Sequence, residues 1–303
     1  MPVGTQPALV LLHMEGCSGS TFLSAMAEDM LACTAGWRAF TDSEQRCRGE
    51  EYLKRTCNSW LSQLQRVRRN TLTAKEWRAA LLKMDAVARQ QNATLLINSD
   101  LRSGSGPTMQ ALLPTVLELR VPLAHVAREN VLDRFVCAVR DCFPTRSPGS
   151  YAVCSGKRSE LCFQRRSAPL QSCPLHQAHL NASDVASHLG MMERMRLADH
   201  KWLVDRGLTT AARPISSERL LAVQYSDDEV AASGVSEWLE LLRTFGVAGA
   251  THATVDACAR RYRASRAPPS VQSGTIHNDA EVRLALCGEP LRRHLRPPCS
   301  QLA

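Results

Sequence analysis

Apolar positions along the chain fall into two alternating patterns. Short unbroken runs at residues 8–12, 94–97, 122–127 and 219–224 have the composition of strands buried on both faces of a parallel sheet. Apolar residues recur at helical spacing over 22–30, 73–91, 109–119, 131–140, 183–205, 235–245 and 279–286, and a further helix is predicted over 49–70. Local signals mark several ends: Thr73 and Glu76 form a capping box, Pro114 interrupts its helix and Gly246 stops another. Strands alternating with helices require crossovers, so the prediction is one α/β domain spanning 1–303, a central parallel sheet flanked by helices on both faces. Residues 142–174 hold Pro, Ser, Gly, Arg and Cys without periodicity and are predicted as a Cys-rich insertion, a disulfide-tied lid over substrate.

Composition narrows the class. With 303 residues, 44% of them hydrophobic, the chain has the apolar content for a substantial core, which argues against disorder. Its longest apolar runs, at 7–12 and 220–223, fall far short of the roughly 20 residues that span a bilayer, and residues 1–6 lack the basic cluster of a signal peptide. The formal charge of +8 is carried mainly by arginine, which suits an anionic ligand. Nucleic acid is disfavoured, because no zinc finger, aromatic-basic signature or long basic stripe accompanies that charge.

The chain has 12 cysteines, and Cys137, Cys142, Cys154, Cys162 and Cys173 cluster in or beside the insertion without the paired spacing of a zinc site. Two readings stay open. One is disulfides in an oxidising compartment, with which the sequons at Asn92 and Asn181 are compatible; the other is buried free thiols in a cytosolic enzyme. No metal is implied.

The first strand leads into Gly16-Cys17-Ser18-Gly19-Ser20-Thr21 and then directly into a helix. Such a turn gathers unpaired backbone N–H groups at the positive end of a helix dipole, a natural seat for phosphate, while Gly19 lets the backbone approach closely. Ser18, Ser20 and Thr21 add hydroxyl donors. The plainer alternative is an ordinary capped turn. A nucleotide-hydrolysing loop of the G-x-x-x-x-G-K-[ST] kind needs a lysine, and none occurs before Lys54. A 5′-phosphosulfate needs less charge neutralisation and tolerates that absence.

Cys17-Ser18-Gly19-Ser20-Thr21-Phe22-Leu23 resembles the 5′-phosphosulfate loop of the sulfotransferase superfamily, which often reads R-S-G-S-T-x-L. Residues 125–134, His-Val-Ala-Arg-Glu-Asn-Val-Leu-Asp-Arg, resemble that family's strand, arginine and helix for the 3′-phosphate. Residues 221–227 resemble its strand ending in Y-E-D-L, and residues 275–282 its late I-x-N-x-E-E-V segment before a terminal helix. These four elements occur in the family's order across nearly the whole chain.

The resemblance implies a P-loop-like sulfotransferase fold. It also implies transfer of a sulfuryl group from 3′-phosphoadenosine 5′-phosphosulfate, as co-substrate, to a hydroxyl or amine, with carbohydrate the favoured acceptor. Residues 16–21 would hold the 5′ end of the donor, and Arg128, Cys137 and Arg263 its 3′-phosphate. Glu44, at the position where glycan-directed branches carry an acidic base, leads the general-base candidates, followed by Asp100 and His13 at strand ends. The cysteines and sequons favour the secretory pathway or Golgi lumen, with the cytoplasm as the alternative.

Two departures bear on activity. Cys17 stands where the family has a cation to stabilise the leaving oxygen, and Cys137 stands where it has a serine, a much stronger donor than a thiol. Two alternatives therefore stand beside the transferase: a P-loop kinase, with residues 94–100 as its Walker B-like strand, and a catalytically inactive nucleotide-binding or interaction protein.

Overall fold

The computed structural model describes residues 6–14, 20–41, 73–99, 107–132, 134, 182–224, 228–262, 279–287 and 299. In chain order the elements are β1 (Leu9–Met14), α1 (Ser20–Ala35), β2 (Ala39–Thr41), α2 (Ala74–Gln90), β3 (Thr94–Ser99), α3 (Pro107–Leu119) and β4 (Leu123–Ala127). They are followed by α4 (Ala182–Asp205), β5 (Ile215–Ser216), α5 (Ser217–Ala222), α6 (Asp228–Thr244), α7 (His252–Ala259), a 3-10 turn (Arg260–Tyr262) and α8 (Asp279–Cys287). The predicted helix at 49–70 and the insertion at 142–174 lie outside the described residues, as does the predicted helix at 131–140 beyond Val131, Leu132 and Arg134.

The chain divides into two compact units, Met1–Glu129 with Arg196–Ala267, and Asn130–Met195 with Pro268–Ala303. The first contains the sheet, five strands in the order β2-β3-β1-β4-β5, every described pairing parallel. Side chains alternate across it. Val10, Leu12, Met14, Leu96, Ala124 and Val126 join one core cluster with Leu23, Met26 and Met30 of α1 and Trp238, Leu241 and Leu242 of α6. Leu9, Leu11, Leu95, Ile97 and Leu123 join the opposite cluster with Trp77, Leu81 and Met84 of α2, Leu112 and Val116 of α3 and Leu203 of α4. Burial on both faces explains why these strands read as continuous apolar runs.

This layering follows from the chain path. The step from β1 to β2 crosses β3 in one direction, and every later step between strands runs the other way. Crossovers keep one hand, so reversing direction moves the connecting helix to the opposite face: α1 covers one side, while α2, α3 and the end of α4 cover the other.

Helix ends obey their local chemistry. Thr73 and Glu76 form the predicted capping box, and Thr251 with Thr254 forms a second at α7. The first turn beyond α2, α3, α4 and α6 holds a residue at positive φ, Asn92, Arg120, Gly207 and Gly246 respectively. In each case the next residue donates its N–H back into the last turn, as Val247 does to Leu242 at 3.0 Å. Pro114 is accommodated inside α3.

The predicted strand at 219–224 is corrected by the structure. The apolar stretch there belongs to α5, whose N-cap Ser216 accepts from the Arg219 N–H, and the sheet's edge strand is instead Ile215–Ser216, paired with Val126 and Ala127. A run as short as Leu-Leu-Ala-Val carries no periodicity able to separate strand from buried helix. Here α6 decides: Trp238 Nε1 donates to the Leu220 carbonyl at 2.8 Å, and Gly234 lies close against Arg219 and Val223. Of the segment resembling the Y-E-D-L strand, Leu221 and Ala222 are thus helical, and residues 225–227 lie outside the described residues. Neither β2 nor α7 is foreshadowed by the sequence patterns.

In the second unit, Val185, Leu189 and Met192 form the buried stripe of the first part of α4, and Val282 and Leu286 that of α8. Cys287 and Cys299 are joined there by a disulfide. In the first unit a disulfide joins Cys33 to Cys258.

Candidate functional site

In open parallel sheets, ligands bind beyond the carboxyl ends of the strands, where the path reverses. Here that point lies between β1 and β4: the chain leaves β1 towards β2 and leaves β4 towards β5, on opposite sides. The two strands are hydrogen-bonded neighbours in a register that pairs Met14 with Val126. The candidate loop starts at Gly16, two residues after Met14, and Arg128 lies two residues after Val126. Ser20 and Thr21 open α1, so the last two residues of the candidate segment 16–21 already belong to the first turn of a sixteen-residue helix.

Arg128 is held in a defined setting. Its Nε lies 3.3 Å from Glu218 Oε1, and the two side chains are 17% and 20% exposed. Glu218 Oε2 also accepts the Glu129 N–H at 2.8 Å. Arg196, from α4, donates through Nη1 to the carbonyls of Arg128 at 3.0 Å and Glu129 at 3.2 Å. The Glu129 carboxylate lies 3.5 Å from Arg219 and 3.9 Å from Arg213. Arg213 makes a forked pair with the buried Glu237, which raises its pKa, chiefly through the hydrogen bonds. Glu237 also accepts the Ser216 N–H, tying β5 to α6.

His13 pairs in register with Ser99 on one side and His125 on the other, and it is 1% exposed. Its ring centroid is 4.9 Å from that of His125, which is 5.5 Å from that of His200 on α4. His200 Nε2 lies 3.2 Å from the Ala211 carbonyl. Burial holds the His200 imidazole below the usual histidine range, against a smaller upward pull from the Ala211 and Ala212 carbonyls. His13 therefore sits in a closed row of rings on the sheet face rather than on open surface.

The remaining predicted residues, Gly16, Cys17, Ser18, Gly19, Glu44, Asp100, Cys137 and Arg263, lie outside the described residues. Their chain positions are informative for two: Asp100 directly follows β3 and Glu44 comes three residues after β2, so both succeed carboxyl ends of strands of the same sheet. Sequence reasoning does not find Glu218 or Arg196. Each meets Arg128 only through the crossovers, and neither stands in a local motif. Among the described residues no group of three His, Cys, Asp or Glu side chains is arranged to hold a metal, and no helix is long and apolar enough to cross a membrane.

Fold and site together define an α/β protein with an all-parallel five-strand sheet flanked by helices, whose topological switch point lies between β1 and β4, with Arg128 following β4. No protein-family model, curated protein or solved structure matches the chain.

Proposed function

We propose that the chain is a sulfotransferase-type protein that binds 3′-phosphoadenosine 5′-phosphosulfate and transfers its sulfuryl group to a hydroxyl or amine, with carbohydrate as the favoured acceptor. The observation that supports this reading is the adjacency of β1 and β4 at the reversal of the sheet, so that the chain entering the loop and the chain bearing Arg128 both leave the carboxyl ends of neighbouring strands. Residues 16–21 and the start of α1 supply amides for the 5′ end. Arg128 supplies a guanidinium for the 3′-phosphate. The acceptor oxygen or nitrogen bonds to sulfur as the bond from sulfur to the bridging phosphate oxygen breaks. The leaving adenosine 3′,5′-bisphosphate takes the electron pair, and the acceptor's proton passes to an acidic residue, for which Glu44 and Asp100 are the candidates. The disulfides Cys33–Cys258 and Cys287–Cys299 favour the secretory pathway as its location.

Cys17 favours a second reading, a nucleotide-binding protein without turnover, because it leaves the bridging oxygen without its usual cation. Thermal unfolding with adenosine 3′,5′-bisphosphate, ATP with magnesium, or buffer separates the readings. A ligand present at a hundred times its Kd stabilises the folded state by about 2.7 kcal/mol, so the bisphosphate raises the Tm and ATP does not. A Tm raised by ATP alone would replace the transferase with a kinase. Stabilisation by bisphosphate without sulfation across an acceptor panel would favour the non-catalytic protein.

A further inference from the structure

The chain at Arg128 and Glu129 is gripped from two sides by opposite charges. Arg196 takes both carbonyls, while Glu218 takes the Glu129 N–H and the Arg128 Nε. Glu218 is itself anchored, since the hydroxyls of Ser216 and Ser217 approach its Oε2 at 3.4 and 3.5 Å. An arginine side chain carries high rotamer freedom, and a carboxylate bound at Nε fixes the plane and direction of its terminal nitrogens.

We infer that Glu218 is a positioning residue: it orients the Arg128 guanidinium in advance for a phosphate dianion at the 3′ position of the nucleotide. This rests on the reading of Arg128 given under Proposed function. Electrostatics alone predicts the opposite role. A carboxylate 3.3 Å from the guanidinium lowers the positive potential there, so its removal would strengthen anion binding. Positioning predicts that removal weakens binding, because the anion must then order a mobile side chain.

The test measures Kd by calorimetry for adenosine 3′,5′-bisphosphate and adenosine 5′-monophosphate on the wild-type chain, Glu218→Gln and Glu218→Asp, with each variant's Tm recorded. The wild type prefers the bisphosphate. In Glu218→Gln that preference falls about tenfold, as expected from immobilising one long side chain on binding, while the monophosphate Kd stays constant. Glu218→Asp, which keeps the charge but withdraws it by one methylene, falls in the same direction and covers the case in which the glutamine variant does not fold. A preference that is unchanged or increased in the variants overturns the positioning role and leaves the bisphosphate site standing. Equal weakening of both ligands assigns Glu218 a purely structural role and also overturns it. A wild type that binds neither nucleotide ends both this proposal and the reading on which it rests.

Discussion

His200 shows how one buried side chain makes the fold sensitive to pH. Its folded pKa lies below the ordinary histidine value because burial disfavours the imidazolium. Above about pH 6.5 the ring is neutral in both folded and unfolded chains and contributes no pH dependence. As pH falls below that value the unfolded chain takes up the proton first, so stability declines until the pH passes the folded pKa and then levels off. The urea midpoint should therefore fall between pH 7.5 and 5.5, and His200→Gln, which keeps a nitrogen near the Ala211 carbonyl, should flatten that decline. An equally steep decline in the variant would assign the effect elsewhere.

Packing between α5 and α6 depends on a single missing side chain. A Cβ at Gly234 would lie 2.6 Å from the Arg219 carbonyl oxygen and 2.8 Å from the Val223 nitrogen, both backbone atoms that cannot swing aside. Helix propensity alone predicts that Gly234→Ala stabilises α6 by about 1 kcal/mol. Overpacking costs about 1–3 kcal/mol and sets the sign, so the variant should unfold at lower denaturant; a raised midpoint would show that the two helices separate freely. This contact also explains the limits of the sequence. Strands β1, β3 and β4 are legible because burial on both faces demands unbroken apolar runs, and α2 because Thr73 and Glu76 cap it locally. The edge strand β5 spans only two residues, and the helical state of α5 is fixed by Ser216, Gly234 and Trp238, which lie outside the apolar run itself. The site divides likewise. Arg128 is legible from its place after a strand, whereas Arg196 reaches the Arg128 carbonyl from 68 residues away and Glu218 the Glu129 N–H from 89, a juxtaposition created by topology.

At the scale of the whole chain, the Cys33–Cys258 disulfide spans a sequence separation of 225 residues and joins the end of α1 to α7 within one core layer. Helix α1 is also the element that follows the candidate loop in the chain, so the cross-link anchors the end of α1 far from that loop. A link across so long a segment removes many conformations from the unfolded chain, and native disulfides typically contribute about 2–4 kcal/mol. Cys258 is 4% exposed and sits among apolar neighbours, so alanine at both positions preserves most of the packing. The double variant Cys33→Ala/Cys258→Ala should therefore fold and bind as the wild type does, but unfold at a clearly lower denaturant midpoint. Its midpoint should not respond further to loss of this link under reducing agent, while that of the wild type should. Peptide mass mapping of the unreduced wild-type protein should recover residues 33 and 258 in one cross-linked pair. Alkylation of both thiols in the folded, unreduced protein would instead show that α1 and α7 are held by packing alone, and would remove the main argument for an oxidising compartment.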